Sequence, residues 1–374
     1  MNLGDKQELS HVEDSTALQA GHDINLTVQG TTVPDVIAIV KYVVASELAI
    51  YSQQADVKAE QRLAQFSNDL DGKLAEKVAG QLNRFNEPSL QFAVREAALG
   101  YIKSGSPEDE ENLIDLMIER VKVEEHSTKQ KLIDQAIKIV PTLSAESLAM
   151  LSILAFRQLT LVGNKTEYVK WLKSINGVVE IAAKASFLDI EYLIQAGCAT
   201  GMLGLKKFIT WEQTCLQSAD LFYRHPLPDE AVKAFFNSIG IIPIENGGGF
   251  STVKSGEEAQ KLLLFIAITM VALPEMKVGF NLVSSSSYSD TAQKQGLEYV
   301  IQPFLELRDS ANPFTTEEVI RYFEGLNPNW RKVINLLDNE QISTLKLTPM
   351  GAYIGSRQLS QLSNREIPLE IFYK

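Results

Sequence analysis

Four histidines and two cysteines are the side chains of this 374-residue sequence best suited to metal, acid–base or nucleophilic chemistry. Metal sites and catalytic pairs need such groups at short, defined spacings. None of the six stands in such a spacing. His11 lies in a polar leader, His22 sits between Gly21 and Asp23, and His225 precedes Pro226 in a turn. His126 closes the run Glu124-Glu125-His126 at the end of a helical stretch, with no second ligand motif nearby, so a solvated charge cluster is expected there. Cys198 and Cys215 are too few for a disulfide framework or a Cys-rich zinc site and read as buried thiols. Gly247–Gly249 lacks a following Lys-Ser/Thr and fits a turn better than a phosphate cradle. The chain has no G-x-S-x-G, Walker loop, H-E-x-x-H or nuclease-like carboxylate motif. The residues point to no catalytic group, no cofactor and no metal, and a non-enzymatic protein is expected.

Charge and hydropathy narrow the partners. A net charge of −12 and a pI near 5.0 argue against general nucleic-acid binding, which needs Lys and Arg against phosphate. Arg321, Arg331, Lys332 and Lys346 are interleaved with Glu317, Glu318, Glu324 and Asp338, the pattern of a solvated face. The apolar run Leu262–Leu273 is shorter than the roughly 20 residues of a spanning helix and is expected to be a buried core helix. Residues 1–20 are acidic and polar rather than a secretory signal, and no lipidation signal is present, so a cytoplasmic location is expected and a membrane partner is not.

The elements that would carry a function start with QAGHDINLTV, residues 19–28. Ile24, Leu26 and Val28 alternate with Asp23, Asn25 and Thr27, which is the period of a half-buried β-strand. Thr32 and Pro34 then open a helix that is apolar on nearly every side from Val36 to Tyr51, including Val40 and Val43, and such a helix must be enclosed by neighbours. From Phe66 the pattern thins to one stripe, Phe66, Leu70, Leu74, Val78 and Leu82, so helix is expected as far as Phe85, unbroken or broken near 52–56 or 68–72. Further helices are expected at about 89–103, 107–124, 127–140 and 144–162, and residues 165–223 continue helical, with Gly197, Gly201 and Gly204 allowing close helix contact. Strands are expected only near 22–29, 241–254 and 342–348, with a closing strand at the C-terminus. Trp171, Trp211 and Trp330 read as core residues, and Gly351 and Gly355 as packing glycines. The fold class is mainly α: a leader and strand (1–32), a long helical segment (33–85), a helical domain (86–225), and a smaller mixed α/β part with short hairpins (226–374).

A resemblance adds to this. LNRFNEPSLQFAVREAALGYIKSG (82–105), the LIDLMIERVKVEEHSTKQKLIDQAIKIVPTLSAE that follows, and Gly21, His22, Asp23, Ile24 and Asn25 are similar to a family of bacterial proteins known mainly by locus-tag names, whose members carry an N-terminal "aGgDIn"-type strand. The resemblance spans most of the chain and implies an intracellular bacterial protein, with no activity attached. The GHDIN stretch also resembles short strands that precede effector or signalling domains in bacterial conflict systems, which implies phage defence. LKLTPMGAYIGSRQL (345–359) resembles the wing and closing helix of a winged-helix domain.

A lone strand cannot be stable, because its backbone donors and acceptors stay unpaired. The leading expectation is a homo-oligomer formed through Gly21, Asp23, Ile24, Asn25, Leu26 and Val28 and through Val36, Val40 and Val43 of the first helix, acting as an interaction or scaffold protein and taking itself or another protein as partner. The alternatives are a DNA-binding regulator using the winged-helix-like part, and a membrane-active effector using residues 36–51 and 262–273.

Overall fold

The stripe Phe66, Leu70, Leu74 is the buried face of helix α1, Gln53–Lys77. Side chains four apart share one face, so the stripe runs the length of a rod about 37 Å long. Gly72 does not break it. The helix ends where Val78 leaves the helical region at φ −145°, and a 3-10 stretch, Ala79–Asn86, carries the stripe on through Leu82 and Phe85. Helix therefore stops eight residues before Phe85, at Lys77. The computed structural model describes residues 53–158, 165–201, 210–244, 250–272, 278–280, 285–339 and 345–363, with positions 34, 35, 37–39, 41, 44, 342 and 367. The strand at 19–28, the closing strand and the continuity of residues 33–52 lie outside them.

Helices α2 (Pro88–Ser104), α3 (Pro107–Lys122), α4 (Thr128–Ile139) and α5 (Ala145–Gln158) follow close to the expected bounds. Their starts obey local chemistry. Pro88 and Pro107 occupy first turns, where no amide hydrogen is needed, and the Ser106 and Ser127 hydroxyls accept from the amides of Asp109 (3.4 Å) and Gln130 (3.1 Å). Every residue of α5 from Ser147 to Phe156 is buried, which makes it the central rod of the body.

Next come α6 (Lys165–Ser174), α7 (Asn176–Ala182), α8 (Phe187–Gln195) and strand β1 (Ala199–Gly201). Among the described residues of 165–223 the helical expectation holds except at β1. Gly197 adopts φ +72°; its amide donates to the Ile194 carbonyl (3.0 Å) and the Cys198 amide to the Leu193 carbonyl (2.9 Å). This is a Schellman stop, so Gly197 is a helix terminator rather than a contact glycine.

The chain continues through α9 (Trp211–Ala219), α10 (Asp229–Ile239), the hairpin β2 (Ile241–Pro243) and β3 (Phe250–Thr252), α11 (Gly256–Thr269), a second pair β4 (Met270–Ala272) and β5 (Val278–Phe280), α12 (Ser285–Lys294), α13 (Ile301–Ser310), α14 (Thr316–Glu324), α15 (Trp330–Leu337), β6 (Leu345–Leu347) and α16 (Pro349–Ser363). The run Leu262–Leu273 is not one helix. It is helical to Thr269 and then turns into β4, antiparallel to β5. Among the described residues no helix is long and apolar enough to cross a membrane.

The buried residues form two cores, and these divide the chain differently from the segments read off the sequence. One core joins residues up to Tyr223 with Val319–Leu359; the other holds Val232–Leu307. The chain enters and leaves the second core side by side. The His225 amide donates to the Asn312 carbonyl (2.9 Å), the Phe314 amide to the Tyr223 carbonyl (2.7 Å), and Arg224 pairs with Pro313. Residues 226–311 are thus an insertion, and the part of the expected 226–374 unit beyond residue 311 returns to the first core.

That return removes the expected wing. β6 pairs antiparallel with β1, Thr200 opposite Lys346, and with no other strand among the described residues. α16 lies on α5 so closely that a Cβ on Gly355 would fall 2.5 Å from the Leu151 carbonyl oxygen. Gly351 is tighter still against Cys198. Both are packing glycines, as expected.

Candidate functional site

Every residue expected to build the oligomer contact lies outside the described residues: Gly21, Asp23, Ile24, Asn25, Leu26, Val28, Val36, Val40 and Val43. Around the last three of them, Pro34, Asp35, Ile37–Ile39, Lys41 and Val44 are helical, and Val44 is fully buried in the first core. The chain's own body therefore encloses part of the helix that is apolar all round.

In the Glu124–His126 run, Glu124 and His126 are exposed as expected, and Glu125 alone turns inward. Arg120, wholly buried, donates to Glu125 Oε1 (2.9 Å) and Oε2 (3.2 Å), to Asp134 Oδ1 (2.8 Å) and to Ser89 Oγ (3.1 Å). Glu125 also holds Arg84 (3.2 Å). The hydrogen bonds from Arg120 keep the Glu125 carboxyl below its usual range. With all three of its nitrogens engaged, the guanidinium ties α2, α3 and α4 together. His126 takes φ +63° to turn the chain from α3 into α4.

Trp171, Trp211 and Trp330, far apart in sequence, meet around Phe156 with ring centroids 4.9, 6.0 and 6.2 Å from it. Cys215 lies in this region, where burial pushes its thiol far up; burial also pushes Cys198 up to about 11. Both thiols stay protonated at neutral pH and are not nucleophiles. Among the described residues no group of three His, Cys, Asp or Glu side chains could hold a metal ion.

The feature sequence reasoning missed is α8. Its start is fixed from two sides. Asp189 Oδ2 accepts from the Ser186 amide (2.8 Å) and hydroxyl (2.6 Å), while Oδ1 accepts from Ser144 at the head of α5 (2.9 Å). Burial alone would raise the Asp189 carboxyl, but these bonds outweigh it and hold the group below its usual range. The helix so positioned buries Ile190 and Leu193 and leaves Leu188 76%, Phe187 41% and Ile194 38% exposed, with Tyr192 exposed too. Phe187, Ile190, Glu191 and Ile194 form one wall of an open groove of about 230 Å³, with Ile342 and Leu345 as the other. Apolar side chains grouped on a well-anchored helix make this face a candidate interaction surface. The signal was present: Phe187–Gln195 is apolar on most sides, the pattern already used for residues 36–51.

No curated protein and no solved structure matches the chain. A family model described only by a locus-tag name of the "-like" kind matches residues 30–373, which takes in the stretch 82–147 and begins after residues 19–28. The chain belongs to that locus-tag-named family.

Proposed function

We propose that the protein is a non-enzymatic interaction or scaffold protein that assembles with copies of itself through its N-terminal strand and first helix. One observation carries this reading. Each described strand is three residues long and already paired, β1 with β6, β2 with β3 and β4 with β5. The alternation at 23–28 is six residues long. No described ladder is long enough to pair all of it, whereas the same strand from another copy is. The groove on α8 supports the reading, since it is an apolar surface suited to a protein and not to a charged substrate.

The setting we propose is the bacterial cytoplasm, and the resemblance of Gly21–Asn25 to strands of conflict systems points the assembly toward antiviral defence. The rival reading as a DNA-binding regulator loses support from the placement of β6 and α16 inside the first core, where neither is presented as a wing or a reading helix. The membrane-active reading draws none from α11, which ends at Thr269. The test is the solution mass of the full-length protein against a chain starting at Asp35. A large full-length species that becomes a monomer on truncation supports the proposal, and equal masses refute it.

A further inference from the structure

We infer that residues 226–311 swing as one body about the crossing at Arg224 and Pro313, and that Asp220 is the catch that holds them in the observed position. The swing does not depend on the assembly proposed above. The insertion has a core of its own and is joined to the first by two adjacent stretches of chain. Among the described residues no helix of one body packs along a helix of the other, while Leu221 packs against both cores. Bodies joined by a small, largely polar contact move relative to each other unless something holds them. The bonds at the crossing lie on the pivot and need not break: His225 to Asn312, Tyr223 to Phe314, and Arg224 to the Ala311 carbonyl (2.8 Å). Off the pivot the contacts are polar and long. Asp220, buried on the first body, accepts from the Ser285 amide at the head of α12 (3.3 Å), and its other oxygen stands 4.0 Å from Arg308 Nε on α13. Both exceed the length of a good bond, about 2.9 Å. Each partner also has somewhere else to go. Arg308 holds Asp309 at 2.6 and 2.7 Å and Ser285 Oγ at 3.0 Å, all within the insertion. Asp220 keeps the charge of Arg224, four residues on in its own segment. The Ser285 amide opens a helix, where water can accept from it. Opening therefore strands no buried charge, and the contact can act as a catch where a fully committed ion pair could not.

Spin labels on full-length protein test this, one on each body, at Lys138→Cys and Lys233→Cys, both exposed. The native thiols are buried and do not compete for the label. Labelled protein is diluted into excess unlabelled protein, so that distances between copies do not contribute. Ser285→Pro removes the amide that Asp220 holds, at a first-turn position that tolerates proline. Asp220→Ala removes the carboxylate itself, and two variants guard against one that misfolds. In the wild type one distance is expected to dominate. In each variant a second distance is expected to become the larger share, while a pair inside the first body, Lys58→Cys with Lys138→Cys, keeps its distance. A distance between the bodies that is unchanged in both variants overturns the inference, because the insertion is then fixed without the catch. A first-body pair that shifts as far as the pair between the bodies overturns it too, because Asp220 then holds the first core together instead.

Discussion

The Arg120 guanidinium, with no exposed surface, grips both carboxylate oxygens of Glu125, at 2.9 and 3.2 Å. A buried cation without its partner is costly, so this contact fixes where the chain turns from α3 to α4. Glu125→Ala should lower stability by about 3 kcal/mol, the low end for breaking a buried pair, because Asp134 still accepts from Arg120. Urea unfolding at pH 7 reads this directly, and a loss under about 0.5 kcal/mol would mean that the pair is only a surface contact.

The same pair sets an acid limb. The folded Glu125 carboxyl lies below its ordinary 4.5. A group depressed on folding contributes its full stability above the unfolded value and loses it as pH falls through the folded one. Stability should therefore hold down to about pH 4.5 and fall below it, and Glu125→Gln should flatten that fall. Urea midpoints of both proteins at pH 7, 5 and 3.5 would show whether the two curves converge in acid.

Glycine substitutions should separate close approach from open helix. Gly355→Ala sets a methyl group against the Leu151 carbonyl, 2.5 Å away, and backbone cannot step aside as a side chain can. A loss of about 1–3 kcal/mol is expected. Gly72 lies inside α1, and a Cβ there would meet no atom within 4 Å, so Gly72→Ala should add about 0.5–1 kcal/mol. Thermal melts of the two variants should move in opposite directions.

The thiols should be silent in the native state. Cys198 and Cys215 are both buried and free. A disulfide-based thiol reagent at pH 8 should label neither in native protein and both in denaturant. Rapid labelling of Cys215 in native protein would show that the aromatic cluster around it opens.

Much of the helical body was legible because its signals are local. Ser106 with Pro107, Thr315 before α14, and Thr348 with Pro349 each mark a helix start by the chemistry of one turn. The four-residue stripe from Phe66 to Leu82 marked a buried face in the same way. What escaped is what depends on partners distant in the chain. β1 is three residues long and owes its existence to β6. Arg120 looks like any charged residue on a helix until Ser89 and Asp134 arrive from other helices. The three tryptophans seemed isolated because Phe156 gathers them only in space. The insertion of 226–311 was legible at its start, residue 226, but not at its end, because the pairing of Tyr223 with Phe314 that closes it joins residues distant in the chain. The groove on α8 could have been suspected, since its apolar all-round pattern is readable, but its second wall comes from Ile342 and Leu345.

The central claim is that the strand at 22–28 joins one copy to another, and solution mass by light scattering or ultracentrifugation tests it most directly. Leu26→Asp puts a charge on the face that the alternation marks as covered, at a cost of several kcal/mol, comparable to the stability of a small assembly. Thr27→Asp changes the opposite face, because strand side chains alternate. At micromolar concentration the wild type should be an oligomer, Leu26→Asp should fall toward the monomer mass with helix content nearly intact, and Thr27→Asp should change it less. A monomeric wild type, or two variants that both keep the wild-type mass, would contradict the account.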